Sequence, residues 1–400
     1  MTSMNRAYCR SFQAVFNIGA HFLNWHKPIL RSGPGSITSI PELLEESGAA
    51  KPLIVTGPHI RTSVLPAVLE VLNDSGTEYE IFSEVEANPS IRTCEKIRVT
   101  YELNRCDSFI AVGGGSPMDA AKAAAARIAR PDRSIRQLSG LLKVGRKLPP
   151  FIAVPTTAGT GSETTIAAVI TDQDTHHKAG IMDLHLFPGY AVLDPALTAE
   201  LSPGITAATG MDALTHAVEA YICRTYNTKE SLKDAEEAVA AIFRNLEKAY
   251  ADGSDIDARN EMLTASFKAG FAFTRAGVGN VHAIAHTLGG LYDVPHGLAN
   301  AVILPVVLED YGNTIYHKLA RLADITGLPG ISEKERSENF IAEIRAMNSR
   351  MCIPSGLDMI KEKDIPQMIT WALAEANPVY PVPVIYDRER CRHVIEKIME

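Results

Sequence analysis

Five side chains in the second half of this 400-residue chain have the types and spacing of a metal site: Asp212, His216, His282, His286 and His296. Asp212 and His216 lie four apart in Gly210-Met211-Asp212-Ala213-Leu214-Thr215-His216, so on a helix they share one face and can point at one ion. His282 and His286 repeat that spacing on a second predicted helix. His296 falls in Val294-Pro295-His296-Gly297, a turn that would open the next helix. A single histidine on an apolar helix is an ordinary core residue, and His216 taken alone reads that way. Asp212 does not. It sits among Gly, Ala, Met and Leu, where a buried carboxylate without a partner is costly, and a divalent cation accounts for it. A carboxylate with three imidazoles and no thiolate suits Fe(II), Zn(II), Mn(II) or Co(II). Five candidate ligands are present, and spacing alone does not choose four.

A second kind of chemistry is suggested upstream by two glycine-rich loops. Phe109–Val112 reads as a buried strand that ends in Gly113-Gly114-Gly115-Ser116-Pro117 before a helix begins. Strand, glycine turn and helix start together bring backbone N–H groups up to a pyrophosphate, and Pro117 suits a first helical turn. Asp119, just inside that helix, favours its dipole. Phe151–Val154 leads in the same way into Pro155-Thr156-Thr157-Ala158-Gly159-Thr160-Gly161-Ser162-Glu163, richer in hydroxyls than a plain turn needs. Two such loops at strand ends favour a nucleotide cofactor in the crevice outside the strands' carboxyl ends.

The elements that must carry these residues divide the chain in two. Before about residue 200, short apolar runs recur at 53–56, 79–82, 109–112, 151–154 and 191–193, separated by helical stretches such as Val64–Ser75 and Met118–Ala129. Apolar runs without polar alternation predict a parallel sheet covered on both faces. After Asp194-Pro195 the strand signals stop, and 211–221, 232–250, 260–272, 282–292 and 335–347 read as helices. The expected architecture is an α/β Rossmann-like domain over 1–198 and an all-helical metal-binding domain over 199–400, with ligands in the cleft between them.

Composition bounds the rest. The 39 Lys+Arg against 47 Asp+Glu give −8, which argues against nucleic acid as a partner. The six cysteines are widely spaced with no C-x-x-C pair, as expected of reduced thiols in a cytoplasmic protein. The longest apolar run, around 299–308, is far short of the ~18–20 residues of a membrane span. Asn17, His21 and Asn24 interrupt the apolar stretch near the N-terminus, so that segment reads as ordinary chain rather than a signal peptide.

In this order and spacing, the Gly113–Asp119 turn, the Pro155–Glu163 loop, Gly210-Met211-Asp212-Ala213-Leu214-Thr215-His216-Ala217-Val218-Glu219, His282-x-x-x-His286 and Pro295-His296-Gly297 resemble the iron-containing (group III) alcohol dehydrogenase family. The resemblance runs from about Pro28 to the C-terminus. It implies a dehydroquinate synthase-like fold and a metal-dependent dehydrogenase that passes a hydride between NAD(P)(H) and a small primary alcohol or aldehyde. By motif position it implies Asp212, His216, His282 and His296 as ligands of Fe(II), or of Zn(II) or another divalent ion. His286 then stands near the nicotinamide as the proton-relaying group. Gly114, Gly115 and Ser116 match the pyrophosphate cradle, with Thr156, Thr157, Thr160, Asp119 and Lys178 as further cofactor contacts. A homodimer or larger assembly is common in the family.

One position departs from the pattern. Where members that prefer NAD commonly place an Asp after the strand at 53–56, this chain has Gly57, followed by His59 and Arg61. No carboxylate is left to repel a 2′-phosphate, which favours NADPH. Ala167, Phe273 and Leu373 are the expected lining of an apolar substrate pocket, and Arg275 reads as a helix-surface residue. The rival readings are a zinc-dependent polyol dehydrogenase, a dehydroquinate synthase-like lyase and a non-catalytic binder that keeps the fold.

Overall fold

The computed structural model describes residues 3–174 and 177–399. By contacts the chain forms two units. The α/β unit comprises Asn24–Glu200 and Ser254–Phe267. The helical unit comprises the residues up to Leu23, Leu201–Gly253 and those from Lys268 onward. Two segments therefore depart from the expected division at 198/199. The N-terminal helix Ser3–Ala20 belongs with the helical unit, because Gln13 and Arg10 hydrogen-bond carbonyls at 378–383. The first part of the Ile256–Ala276 helix belongs with the α/β unit, where the carbonyl of Phe267 accepts a bond from Thr164.

The α/β unit is built on a six-stranded parallel sheet. Its strands are β1 (Ile29–Ser32), β2 (Pro52–Val55), β3 (Glu80–Phe82), β4 (Ser108–Gly113), β6 (Phe151–Pro155) and β9 (Tyr190–Leu193), in the order β1-β9-β6-β4-β2-β3. Successive residues of one strand serve different cores. Leu53, Val55, Phe109, Ala111, Phe151 and Ala153 pack with Met118 and the alanines of the Gly115–Ala129 helix. Ile54, Ile110, Val112, Ile152 and Val154 pack on the opposite face with Leu43, Leu65, Val68 and Leu72. Both faces being covered is the reason these strands are apolar throughout, and the parallel sheet is as expected.

A second sheet departs from expectation. Here β5 (Gly140–Leu141), β8 (His177–Met182) and β7 (Ala167–Asp172) form a three-stranded sheet in which β7 and β8 are antiparallel. The burial of β7 alternates, with Ala168 and Ile170 inside and Val169 exposed. That half-exposed pattern lacks the continuous apolar run by which the central strands announce themselves.

The strand order reverses between β2 and β4. Chain order moves from β2 outward to β3, then returns to β4 on the other side of β2. Thr56 Oγ1 donates to the Val112 carbonyl at 2.8 Å and ties the two strand ends together. The carboxyl ends at this reversal carry Gly57 and Gly113–Ser116, and the neighbouring β6 carries Thr156. This is the place where open α/β sheets bind their ligands.

In the helical unit, the Pro203–Ile222 helix starts at Ser202, whose side chain accepts from Ile205 N, with Pro203 in the first turn. Nearly every residue from Gly210 to Ile222 is buried. The Asn280–Tyr292 and His296–Tyr311 helices pack as a pair, and the second of these also lies against the Pro203–Ile222 helix. Among the described residues no helix is long and apolar enough to cross a membrane. All six cysteines are free, and Cys352 is the exposed one.

Candidate metal centre and cofactor loops

Four of the five candidate ligands converge. One ligand atom each from Asp212, His216, His282 and His296 lies within 4.8 Å of the others. Asp212, His216 and His282 are buried, and His296, at the first position of its helix, is half-buried. The His216 and His282 rings stack at 4.6 Å, and Phe273 covers the other face of His216 at 4.1 Å. His296 Nε2 lies 3.5 Å from Asp212 Oδ1.

The surroundings of these groups set their chemistry. Glu219, three residues past His216 on the same helix, is fully buried and takes the Nδ1–H of His282 at 2.6 Å. It also accepts from the backbone N–H of Gly279 and Val281, both at 2.8 Å, and so caps the start of the His282 helix. With Nδ1 committed to a carboxylate, the Nε2 lone pair of His282 faces the cluster, as in carboxylate–histidine–metal arrangements. Burial, followed by the neighbouring His216, His296 and His286, holds the His282 pKa well below its ordinary value, so the ring is in the neutral form a metal needs. Burial pushes Glu219 up to about 7, against the pull of its three donors. Glycine at 279 leaves room for this carboxylate: a Cβ there would lie 2.5 Å from Glu219 Oε1 and displace it.

A polar observation inside the cluster tests whether a cation fits. The Asn300 side-chain nitrogen lies 2.7 Å from Asp212 Oδ1, 3.1 Å from His296 Nε2 and 3.2 Å from His282 Nε2. Three acceptor atoms are thus aimed at one point, while Asn300 Oδ1 is buried without a hydrogen-bond partner. Converging lone pairs from one carboxylate and neutral imidazoles are a donor set for a divalent ion.

The fifth candidate, His286, is engaged differently. Its Nδ1 bonds Glu375 Oε1 at 2.6 Å, and the same oxygen accepts from Tyr380 Oη at 2.8 Å. Its ring stacks on His296 at 5.1 Å. Burial would raise the Glu375 pKa, but the His286 charge and the bonds from His286 and Tyr380 hold it below the usual range.

The predicted cofactor residues of the α/β unit also come together. A Cβ on Gly114 would meet Thr157 Oγ1 at 3.1 Å, and one on Gly115 would meet Thr160 Cγ2 at 3.1 Å, so glycine at both positions lets the two loops approach without crowding. Thr156 N donates to Gly113 O, and Thr156 Oγ1 is buried without a partner. Ser116 and Asp119 lie in the first two turns of the Gly115–Ala129 helix. The Asp119 carboxylate accepts from Ser162 Oγ at 2.8 Å and Val169 N at 2.9 Å, fastening that helix to the second loop and β7. Gly57 opens the Pro58–Ser63 helix at the end of β2, and Arg61 donates to Ser83 Oγ at 2.9 Å. Lys178 pairs by backbone with Thr171 on β7, and its side chain lies outside the described residues.

Of the expected pocket residues, Phe273 touches His216, Leu373 lies on the helix that carries Glu375, and Ala167 begins β7. Arg275 corrects its expectation. It is buried rather than on the surface, and burial lowers its pKa.

Sequence reading missed four side chains. Lys122, fully buried, donates to the carbonyls of Ser162, Thr165 and Ala167 and to the hydroxyls of Ser162 and Thr165, at 2.6–3.2 Å. Burial lowers its pKa to about 8. A lysine inside the run Ala120–Ala126 was the available signal. Glu219 had a weaker one, being a carboxylate three residues beyond His216. Glu375 and Asn300 carried none.

The comparisons with known proteins bear directly on this arrangement. The model described as "Iron-containing alcohol dehydrogenase" matches residues 28–195, and "Fe-containing alcohol dehydrogenase family, C-terminal" matches 206–399. The chain belongs to the iron-containing alcohol dehydrogenase family. This dehydrogenase is 39% identical over 352 residues to 1,3-propanediol dehydrogenase of Klebsiella pneumoniae, covering 86% of this chain and 90% of that one. It is 36% identical over 338 residues to NAD-dependent methanol dehydrogenase of Bacillus methanolicus, covering 83% and 88%. A crystal structure of 1,3-propanediol oxidoreductase superposes with a TM-score of 0.91 at 35% identity, covering 94% of this chain and all of that one. The dehydrogenase is accordingly an oxidoreductase of a family that uses NAD(H) or NADP(H) with a divalent metal. The rival lyase and polyol readings are not favoured.

Proposed function

We propose that the enzyme reduces small aldehydes, and oxidises the matching primary alcohols, at a divalent ion held by Asp212, His216, His282 and His296. The observation carrying this reading is the convergence of those four ligand atoms within 4.8 Å in a largely buried site. When bound, the ion polarises the substrate oxygen and the nicotinamide gives or takes the hydride. The chain's own residues do the rest. Glu219 orients His282, Phe273 and Leu373 offer apolar surface to a short carbon chain, and His286 passes a proton. Alcohol oxidation releases a C–H electron pair as hydride and an O–H proton. His286, with Nδ1 anchored on Glu375, takes that proton at Nε2 and yields it to water.

In the α/β unit, backbone N–H groups at Gly114, Gly115 and Ser116 take the pyrophosphate, with Thr156, Thr157, Thr160 and Lys178 around the remainder of the cofactor and Asp119 fixing the loop. We assign iron as the resident metal and NADPH as the preferred cofactor. Gly57 leaves no carboxylate against a 2′-phosphate, and Arg61 is anchored beside it at Ser83. The relative named as NAD-dependent makes this a sharp question. We further propose a cytoplasmic location and a homodimeric or larger assembly.

Metal analysis of protein purified without oxygen, joined to an NADH-against-NADPH screen of small aldehydes, tests the reading. Iron at one ion per chain and a higher kcat/KM with NADPH are expected; a ~tenfold preference for NADH reverses the cofactor assignment. His286→Ala should lower turnover and keep the metal. Loss of the metal in that variant would make His286 a ligand instead.

A further inference from the structure

The N-terminal helix Ser3–Ala20 precedes the first residue matched by the family models, yet it is fastened to the segment that leads into the His286 contacts. Gln13 is fully buried, and its side-chain N–H groups donate to Pro378 O at 3.0 Å and Tyr380 O at 2.7 Å. Its carbonyl oxygen accepts from Arg10 at 2.9 Å, and Arg10 in turn donates to Val382 O and Pro383 O. Every polar atom of the Gln13 amide is therefore used, which fixes one geometry for the segment. Farther along the helix, Phe16 packs on Tyr226, whose hydroxyl donates to Val379 O at 3.0 Å. Cys9 lies in an apolar cluster with Val382 and Ile385, against which Tyr380 packs.

The carbonyls of four residues in the row 378–383 are thus held by this helix, and a fifth by Tyr226. The held segment carries Tyr380. Its hydroxyl shares Glu375 Oε1 with His286 Nδ1. The line of contacts runs from the helix to Gln13, to the Tyr380 backbone, to the Tyr380 hydroxyl, to Glu375 and to the imidazole.

We propose that the N-terminal helix is a brace for the proton-passing histidine, with Gln13 and Tyr380 as positioning residues that act through Glu375. The proposal rests on the assignment of His286 made above. Loss of the Gln13 amide frees the Pro378 and Tyr380 carbonyls, lets Tyr380 drift from Glu375 and leaves the imidazole with a single, movable anchor. Misplacement of a reacting group by ~1 Å can cost ~100-fold, and a partly held imidazole loses less than that.

A mutant cycle in the full-length, metal-loaded enzyme tests it, with butanal and saturating reduced cofactor as the probe. Gln13→Leu and Tyr380→Phe should each lower kcat by about tenfold while KM for the cofactor and the metal content hold. Amide hydrogen exchange at 379–382 should speed up in Gln13→Leu. In a His286→Ala background, neither change should lower kcat further, because both act through that ring. Equal losses in both backgrounds overturn the brace, as does faster exchange at 379–382 with kcat unchanged. A His286→Ala enzyme with full turnover overturns the assignment of His286, a result distinct from either. Should Gln13→Leu fail to fold, Tyr226→Phe removes only the bond to Val379 O, and it must show the same dependence on His286 with a smaller loss.

Discussion

The two units build their candidate sites by opposite means. In the helical unit the chemistry is carried by side chains on buried helices, and two of the imidazoles are anchored by a carboxylate on the far nitrogen. Glu219 does this for His282 and Glu375 for His286. In the α/β unit the site is mostly backbone: strand ends, glycines whose missing Cβ atoms let two loops touch, and Lys122 drawing carbonyls together from beneath. A site made of side chains should be sensitive to what each side chain is. A site made of backbone should tolerate changes of side chain and fail on added bulk.

The largest expected effect tests the first half of that contrast. Asp212→Ala removes the only carboxylate among the converging ligands and should abolish metal retention through gel filtration, with turnover falling below detection. Cofactor affinity, measured by fluorescence of bound NADPH, should stay within about twofold, since additive behaviour is expected of independent sites. A variant that keeps its metal would remove Asp212 from the ligand set. Next comes Glu219→Gln. The amide can no longer take the His282 proton as a charged acceptor, and metal affinity should drop by ~10–100-fold, the usual loss for an outer partner of a ligand. Competition with a chelator reads this directly, without recourse to activity.

Gly114→Val probes the backbone-built site. Its Cβ and methyl groups would press on Thr157, a clash of about 1–3 kcal/mol, or roughly fivefold to 150-fold in cofactor affinity. Metal content should be unchanged. Thr157→Ala, by contrast, should weaken the cofactor only a few-fold. If the alanine variant is the worse of the two, the loop recognises its ligand through side chains and the contrast fails.

What could be read from sequence follows the same division. The glycine turns and central strands were legible because backbone geometry restricts residue type: a Cβ at 114 or 115 would crowd the facing threonine, and doubly covered strands must be apolar. The four converging ligands were legible as candidates because the i, i+4 spacing within a helix is local. Their choice over His286 came from the family resemblance and not from spacing, because the partner that engages His286 is Glu375, 89 residues away in the chain. Glu219 likewise reads as one more helical carboxylate until Gly279, 60 residues on, is brought to it. The second sheet stayed hidden because half-exposed strands such as β7 carry too weak an apolar pattern. Arg275 failed by the commonest prior, that an arginine on a helix faces water; its burial is a property of the packed unit alone.

The smallest effect concerns a charge beneath the backbone-built loops. Glu163 is fully buried, Oε1 has no hydrogen-bond partner, and burial pushes its pKa from 4.5 up to about 7, partly offset by Lys122. Between pH 4.5 and 7 the folded state therefore holds a proton that the unfolded state has lost. Stability from this group is fully present below 4.5 and is lost as pH rises through 7. Lys122, with its pKa lowered from 10.5 to about 8, changes stability in a separate and more alkaline window, in the sense of increasing it as pH rises from 8 to 10.5. Glu163→Gln removes the first effect, and by taking away a charge that raises the Lys122 pKa it alters the second only in that more alkaline window. The difference in Tm between the variant and the parent should therefore grow in the variant's favour from pH 5 to pH 7 and then level off. Parallel Tm curves across that range would mean the carboxyl titrates alike in both states, and the loop's organising charge would then be Lys122 by itself. Unchanged metal content in the same variant would complete the contrast, because no titration beneath the cofactor loops should reach ligands held by the other unit's helices.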